Sequence, residues 1–302
     1  MQSTDPAAGP SAPPPGWYPD PWQVAPTRWW DGMAWTGFTT PAPRVVQPPA
    51  APVYPPVIFT VARPEPRDDI ESFGIAILGF FGAIALSLLC AKLAAAAGLR
   101  TLTVPNVVIA QFGLWGGLCY TARLVAQRRR PGGTIADYGF ERPTGGEVGI
   151  GVAIGIVGLV VASRVALELR NLFPDNGGSH LFVSSHPSYA LVYVFGLLAC
   201  IGAPIVEELF FRGVVQTALT RDLGVTPAIV IQAMLFGLAH FELGMTFNEA
   251  AVRCGTVMVL GLFNGWLRAQ TGRLGAGMVA HATYNTIVTL ITLIALLGLA
   301  AT

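Results

Sequence analysis

From Phe73 onward the chain is a succession of long apolar runs separated by short polar connections, whereas residues 1–70 contain no such run. A membrane-spanning helix needs about 20 predominantly apolar residues. The runs predict spans at 73–97, 104–125, 147–167, 189–213, 225–242, 251–267 and 275–299, the fifth and sixth being short and carrying polar groups. Backbone amides in a bilayer must be satisfied within the segment, so apolar runs of this length read as helices. The expected fold is an all-α polytopic membrane bundle of about seven transmembrane helices over residues 71–302.

Ahead of the bundle the pattern changes character. Residues 1–15 and 41–70 are Pro- and Ala-rich and read as a disordered end and a semi-extended linker. Between them, residues 16–40 hold five of the seven tryptophans, in Gly16-Trp17-Tyr18-Pro19-Asp20-Pro21, Arg28-Trp29-Trp30-Asp31-Gly32 and Trp35-Thr36. Asp31-Gly32 between aromatic flanks is a hairpin signal. A piece this small cannot bury a large core, so its tryptophans must pack on one another or on a partner. The block resembles a short N-terminal domain of unknown function found on actinobacterial membrane proteins. Its expected role is a tethered mini-domain; the alternative is recognition of a cytoplasmic protein partner, since clustered aromatics suit Pro-rich ligands.

Composition agrees with a membrane protein. Hydrophobic residues make up 53% of the chain and charged residues only 12%, and the mean hydropathy is +0.56; soluble chains carry about 25% charged residues. A net charge of +1 gives no basis for a nucleic-acid partner. Cys90, Cys119, Cys200 and Cys254 are scattered singly among apolar residues and read as small buried hydrophobes. The first 70 residues lack the apolar region of a cleavable signal peptide. With the N-terminus in the cytoplasm, the inner side receives Arg44, Arg63, Arg67, Arg123, Arg128, Arg129, Arg130, Arg142, Arg212, Arg221, Arg268 and Arg273, against Lys92, Arg100, Arg164, Arg170 and Arg253 outside. That asymmetry follows the positive-inside rule. It predicts a cell-membrane protein with a cytoplasmic Trp-rich module and an outer C-terminus. Residues 131–146 then form a cytoplasmic segment at the membrane surface, and the polar loop 168–188, with His180 and His186, lies outside.

Charged groups at membrane depth cost at least about 2.5–3.5 kcal/mol near a helix centre, so they mark function. Glu207-Glu208-Leu209-Phe210-Phe211-Arg212 follows an apolar stretch, and Glu208 and Arg212, four apart, share a helix face suited to an ion pair. Glu207 points about 100° away and needs another partner. His240 closes Phe236-Gly237-Leu238-Ala239-His240, and His281 and Asn285 share one face of the last span. Singly, each histidine or amide reads as packing glue between helices; as a set in three spans they read as a site. A carboxylate and an imidazole can deprotonate a water for attack on a peptide carbonyl. A second imidazole and an amide can donate to the oxyanion. Alternatively, Glu207, His240 and His281 can bind Zn²⁺ with water in the fourth position. No G-x-S-x-G elbow offers a serine route.

The motifs E-E-x-x-x-R, F-x-x-x-H and H-x-x-x-N, in this order on successive hydrophobic segments, resemble the CPBP intramembrane proteases, which include CAAX prenyl endopeptidases and bacteriocin-processing proteins. The resemblance covers residues 70–300, with its motifs within 207–285. It implies a helical bundle with a cavity open to membrane and cytoplasm, in which Glu207 and His240 activate water and His281 and Asn285 support the oxyanion. Glu208 and Arg212 assist, and Phe236 is expected to touch substrate. The expected function is an endopeptidase acting on a membrane-associated protein or peptide, with or without zinc; a CAAX substrate is not carried across. Two other classes fit the same polar set: a non-catalytic adaptor or immunity protein that grips a peptide, and a transporter. The second predicts inverted repeats, and none is visible.

Overall fold

The structure, a computed structural model, describes residues 13–41, 69–100, 103–174, 189–242 and 244–300. The expected disordered end and Pro-rich linker lie almost entirely outside these residues, as do His180 and His186. The chain divides into two units, Met1–Ala62 and Arg63–Thr302.

The small unit is an antiparallel sheet of β1 (Gly16–Pro19), β2 (Thr27–Trp30) and β3 (Trp35–Thr39) in the order β1-β2-β3. Side chains alternate across a strand, and the register sorts the rings accordingly. Trp17 lies opposite Trp29, with ring centroids 5.4 Å apart. Trp30 lies opposite Trp35 at 5.3 Å, with Tyr18 6.3 Å from Trp35. Such pairs contribute about 0.5–1.5 kcal/mol each beyond their buried area. The β1–β2 loop is organised by buried Asp20. Its carboxylate accepts the backbone N–H groups of Trp22, Val24 and Ala25 and pairs with Arg28 Nε at 2.9 Å. That pairing holds the Asp20 carboxyl below the usual carboxylate range.

The large unit is helical: α1 (Asp69–Ala96), α2 (Val104–Arg129), α3 (Gly145–Leu172), α4, α5 (Val225–Leu238), α6 (Phe247–Thr271) and α7 (Gly275–Ala300). α4 is composite. It passes from Tyr189–Leu197 through a π segment, Leu198–Gly202, then Ala203–Glu207, a second π segment, Glu208–Val215, and ends as Gln216–Leu223. Thr144 and Thr246 start α3 and α6 through capping boxes with Glu147 and Glu249.

Each of the seven predicted spans coincides with a helix. Among the described residues, five helices are long and apolar enough to cross a membrane: Glu71–Ala96, Gly145–Leu172, Ala190–Leu223, Phe247–Thr271 and Gly275–Leu296. α5 has 14 residues, about 21 Å against a hydrocarbon core of about 30 Å. α2 carries Gln111, Arg123, Gln127, Arg128 and Arg129, which dilute its apolar character. Apolar side chains cover the outside, among them Leu78, Phe81 and Leu89 on α1, Val157 and Val160 on α3, and Ile291 and Ile294 on α7. Lipid rather than water is the solvent that suits such an exterior.

Inside, Phe80, Phe210, Phe211 and Phe236 form a run of ring contacts at 5.0–6.1 Å that ends at the polar cluster. The segment 131–146 is more than a surface loop. It forms a 3₁₀ turn, Ile135–Tyr138, whose Tyr138 is fully buried and lies against Gly213 of α4. Gly139 follows at φ +73°, and a Cβ there would lie 2.5 Å from the Gly272 carbonyl. Arg273 completes the clasp, pairing with Glu141 and, at 2.9 Å, with Glu147. These contacts pin α4 and the α6–α7 turn, the two elements that carry the carboxylates and lead into His281.

Candidate active site

Glu208 and Arg212 are both 0% exposed, and Arg212 Nη1 lies 2.9 Å from Glu208 Oε1. The same oxygen accepts from His281 Nδ1 at 3.0 Å and from Asn264 Nδ2 at 2.8 Å. One carboxylate oxygen thus gathers a guanidinium, an imidazole and an amide from α4, α7 and α6. The expected ion pair is present, and Glu208 does not reach water. On its other side Arg212 packs over the Phe236 ring, 4.2 Å from its centroid, a cation–π contact.

Glu207 has a different environment. Its side chain is 18% exposed, and Oε2 points inward, 3.9 Å from His281 Nε2. Among the described residues this buried oxygen has no hydrogen-bond partner. Adjacent glutamates therefore differ: Glu208 is held through one oxygen by three protein donors, whereas Oε2 of Glu207 faces the histidines with no protein partner among the described residues.

The two histidines are oriented from behind. His240 Nδ1 contacts the Phe236 carbonyl at 2.8 Å; since a carbonyl only accepts, Nδ1 carries the proton and Nε2 keeps a lone pair in the neutral ring. His281 Nδ1 donates to Glu208, which turns Nε2 toward Glu207. Donation from that Nε2 requires the second proton on the ring. Phe236 joins the parts, with its ring 5.0 Å from His240 and 5.7 Å from His281. Phe236 is fully buried. It packs against three polar side chains of the site, Arg212, His240 and His281.

Asn285 lies one turn beyond His281 and donates from Nδ2 to the Ala199 carbonyl at 2.7 Å. Ala199 belongs to the first π segment, where widened turns leave carbonyls to side-chain donors; such segments recur at functional sites. Asn264 escaped the sequence reading, although an amide in an apolar span is the same signal that singled out His240. It is fully buried and supports Glu208. Among the described residues no three His, Cys, Asp or Glu side chains converge as a metal-binding group. Glu207 Oε2 and His281 Nε2 approach to 3.9 Å, and the Nδ1 contacts of His240 and His281 leave their Nε2 atoms as the ones that would hold an ion.

Fold and site together define a class: an integral membrane helical protein with a carboxylate–imidazole centre enclosed by its helices. The comparisons narrow the class. Residues 189–287 match the family described as Type II CAAX prenyl endopeptidase Rce1-like. Human CAAX prenyl protease 2 is 30% identical over 95 residues, 28% of this chain and 29% of that protein. The chain therefore spans under a third of the length of this curated relative. Residues 15–51 match a family described as a protein of unknown function (DUF2510). No solved structure matches the chain.

Proposed function

We propose that the helical unit is an intramembrane endopeptidase that hydrolyses a peptide bond of a membrane-associated protein or peptide. The observation that carries the reading is the unpartnered, inward-facing Oε2 of Glu207, 3.9 Å from His281 Nε2, beside a Glu208 whose Oε1 is held by Arg212, His281 and Asn264. A water held by Glu207 and by the free Nε2 of His240 gives up a proton to Glu207 as its oxygen attacks the carbonyl carbon. The resulting oxyanion accepts from protonated His281 Nε2 and from the Asn285 amide. The proton then passes to the leaving nitrogen as the C–N bond breaks. Glu208, Arg212, Asn264 and Phe236 hold these groups in place. The proposed step uses a carboxylate-activated water and is not routed through zinc.

An apolar groove along α4 and α7, lined by Tyr193, Gly196, Leu197, Cys200, Thr289 and Leu293, runs beside Asn285 and offers an apolar substrate segment a place to lie. The arginine distribution supports the Trp-rich module in the cytoplasm and the C-terminus outside.

The test is cleavage of membrane-anchored reporter peptides by the purified chain in nanodiscs. Glu207→Gln and His240→Ala are each expected to lower kcat by about 100-fold or more, without loss of folded protein. Both variants cleaving at the wild-type rate, or intact peptide recovered bound to wild type, would reject the reading. A rate abolished by 1,10-phenanthroline and restored by Zn²⁺ would reject the metal-free step.

A further inference from the structure

The sheet face that carries Tyr18, Trp30 and Trp35 is already in use. Trp30 Nε1 donates to the Pro13 carbonyl at 3.0 Å, and Tyr18 Oη donates to the Pro14 carbonyl at 2.8 Å. Pro15 follows against Gly32, where a Cβ would lie 3.2 Å from Pro15 Cγ. Three consecutive prolines thus run along this face, and two adjacent carbonyls are read by ring-borne donors. A proline run has no N–H to give, is pre-set toward the polyproline II helix, and presents acceptors only. A face of aromatic planes with one indole N–H and one phenol O–H is its chemical complement. Pro13, Pro14 and Pro15 remain exposed; they lie on the face rather than within the core. Gly32, at φ +99°, leaves the space that the third proline fills.

We propose that the Tyr18–Trp30–Trp35 face is a recognition site for a proline-rich polypeptide of a partner protein, closed in this structure by the chain's own Pro13–Pro15. The module then does more than pack its tryptophans: it exchanges an internal ligand for an external one. An internal ligand on a short tether acts at about millimolar effective concentration. External peptides of modest affinity therefore compete poorly until the internal prolines are displaced.

The test uses the full chain in detergent and a fluorescein-labelled peptide with the sequence of residues 10–15, Pro-Ser-Ala-Pro-Pro-Pro, followed by anisotropy. The variant carrying Pro13→Ala, Pro14→Ala and Pro15→Ala is expected to bind the peptide about tenfold more tightly than wild type. Adding Trp30→Phe, which keeps a ring and removes the N–H, is expected to weaken that binding about three- to tenfold. Near-ultraviolet circular dichroism of the tryptophans checks that each variant keeps its module. A folded triple variant that does not bind at millimolar peptide, or that binds Pro-Ser-Ala-Ala-Ala-Ala equally well, overturns the proposal. Equal affinity of wild type and triple variant overturns the internal closure, and an inert Trp30→Phe overturns the assigned seat.

Discussion

The Glu208–Arg212 pair can be tested by a double-mutant cycle whose outcome follows from its surroundings. Glu208→Gln keeps the side-chain size and an acceptor oxygen for Asn264, 2.8 Å away, and His281, 3.0 Å away. What it removes is the negative charge 2.9 Å from Arg212 Nη1, in a place where neither partner is exposed. Removing one partner of a buried pair costs about 3–5 kcal/mol, because the other is left as an uncompensated charge. Here the lower end applies. The Phe236 ring remains against the guanidinium, and cation–π contacts contribute about 0.5–2 kcal/mol. Arg212→Met should cost a similar 3 kcal/mol or so, since Glu208 would keep only its amide and imidazole donors.

Independent effects would sum to about 6 kcal/mol in the double variant. If the pair is the source of both losses, Glu208→Gln with Arg212→Met leaves no buried charge and costs about 2 kcal/mol or less. At about 2–4 °C per kcal/mol for a unit of this size, each single variant should lose about 6–12 °C. The double variant should recover to within about 8 °C of wild type, not fall by the 12–24 °C of additive losses. Thermal unfolding in detergent, followed by tryptophan emission, reads all four corners of the cycle. A double variant at the additive sum would refute the buried pair, as would a Glu208→Gln variant with unchanged Tm.

Further outcomes follow from other sites. Glu207→Met replaces a carboxylate whose buried Oε2 lacks a protein partner with an apolar side chain, so it should raise Tm by a few degrees, about 1 kcal/mol, while cleavage is lost; a lower Tm would mean that Glu207 has a structural role. Gly139→Ala places a Cβ 2.5 Å from the Gly272 carbonyl at φ +73° and should destabilise by about 1–3 kcal/mol, measured as a drop in Tm, whereas Gly132→Ala, at φ +76° with nothing within 4 Å of the added Cβ, should cost less. Arg28 holds the Asp20 carboxyl below its ordinary value, so Asp20 adds stability that is full above its unfolded pKa, about 3.9, and lost as pH falls through the lower folded value. Tryptophan emission of the module should therefore change in that acid range, and Asp20→Asn should reduce this dependence to the part carried by Asp31, which the Ala34 and Met33 N–H groups also hold low.

Much of the site was legible because the medium makes polar residues improbable. A charge or imidazole in an apolar run demands an explanation, and Glu207, Glu208, Arg212, His240, His281 and Asn285 stood out for that reason. The four-residue spacing of Glu208 and Arg212 was enough to foresee their pairing. Other features depended on partners distant in sequence. Asn264 and His281 meet Glu208 across 56 and 73 residues, and spacing says nothing about such contacts. The π segments of α4 were hidden because their residues follow an ordinary apolar pattern. Tyr138 sits in a stretch rich in turn residues, and it is covered only when α4 brings Gly213 to it and the α6–α7 turn, with Gly272 and Arg273, packs on neighbouring Gly139. α5, with 14 residues, and α2, with its polar positions, are the two predicted spans that fall outside the five long apolar helices.

The adjacency of the two glutamates explains why the site needs so many supporting residues. Two neighbouring carboxylates in a low-dielectric interior repel, and one would ordinarily take up a proton. Arg212 Nη1 lies 2.9 Å from Glu208 Oε1, and the same oxygen accepts from Asn264 and His281. The donors at this end of the site thus gather on one oxygen of Glu208, and Oε2 of Glu207 is left without a protein partner among the described residues. That oxygen is open to a water, and each of Arg212, Asn264 and Phe236 can be understood as holding the arrangement that leaves it so.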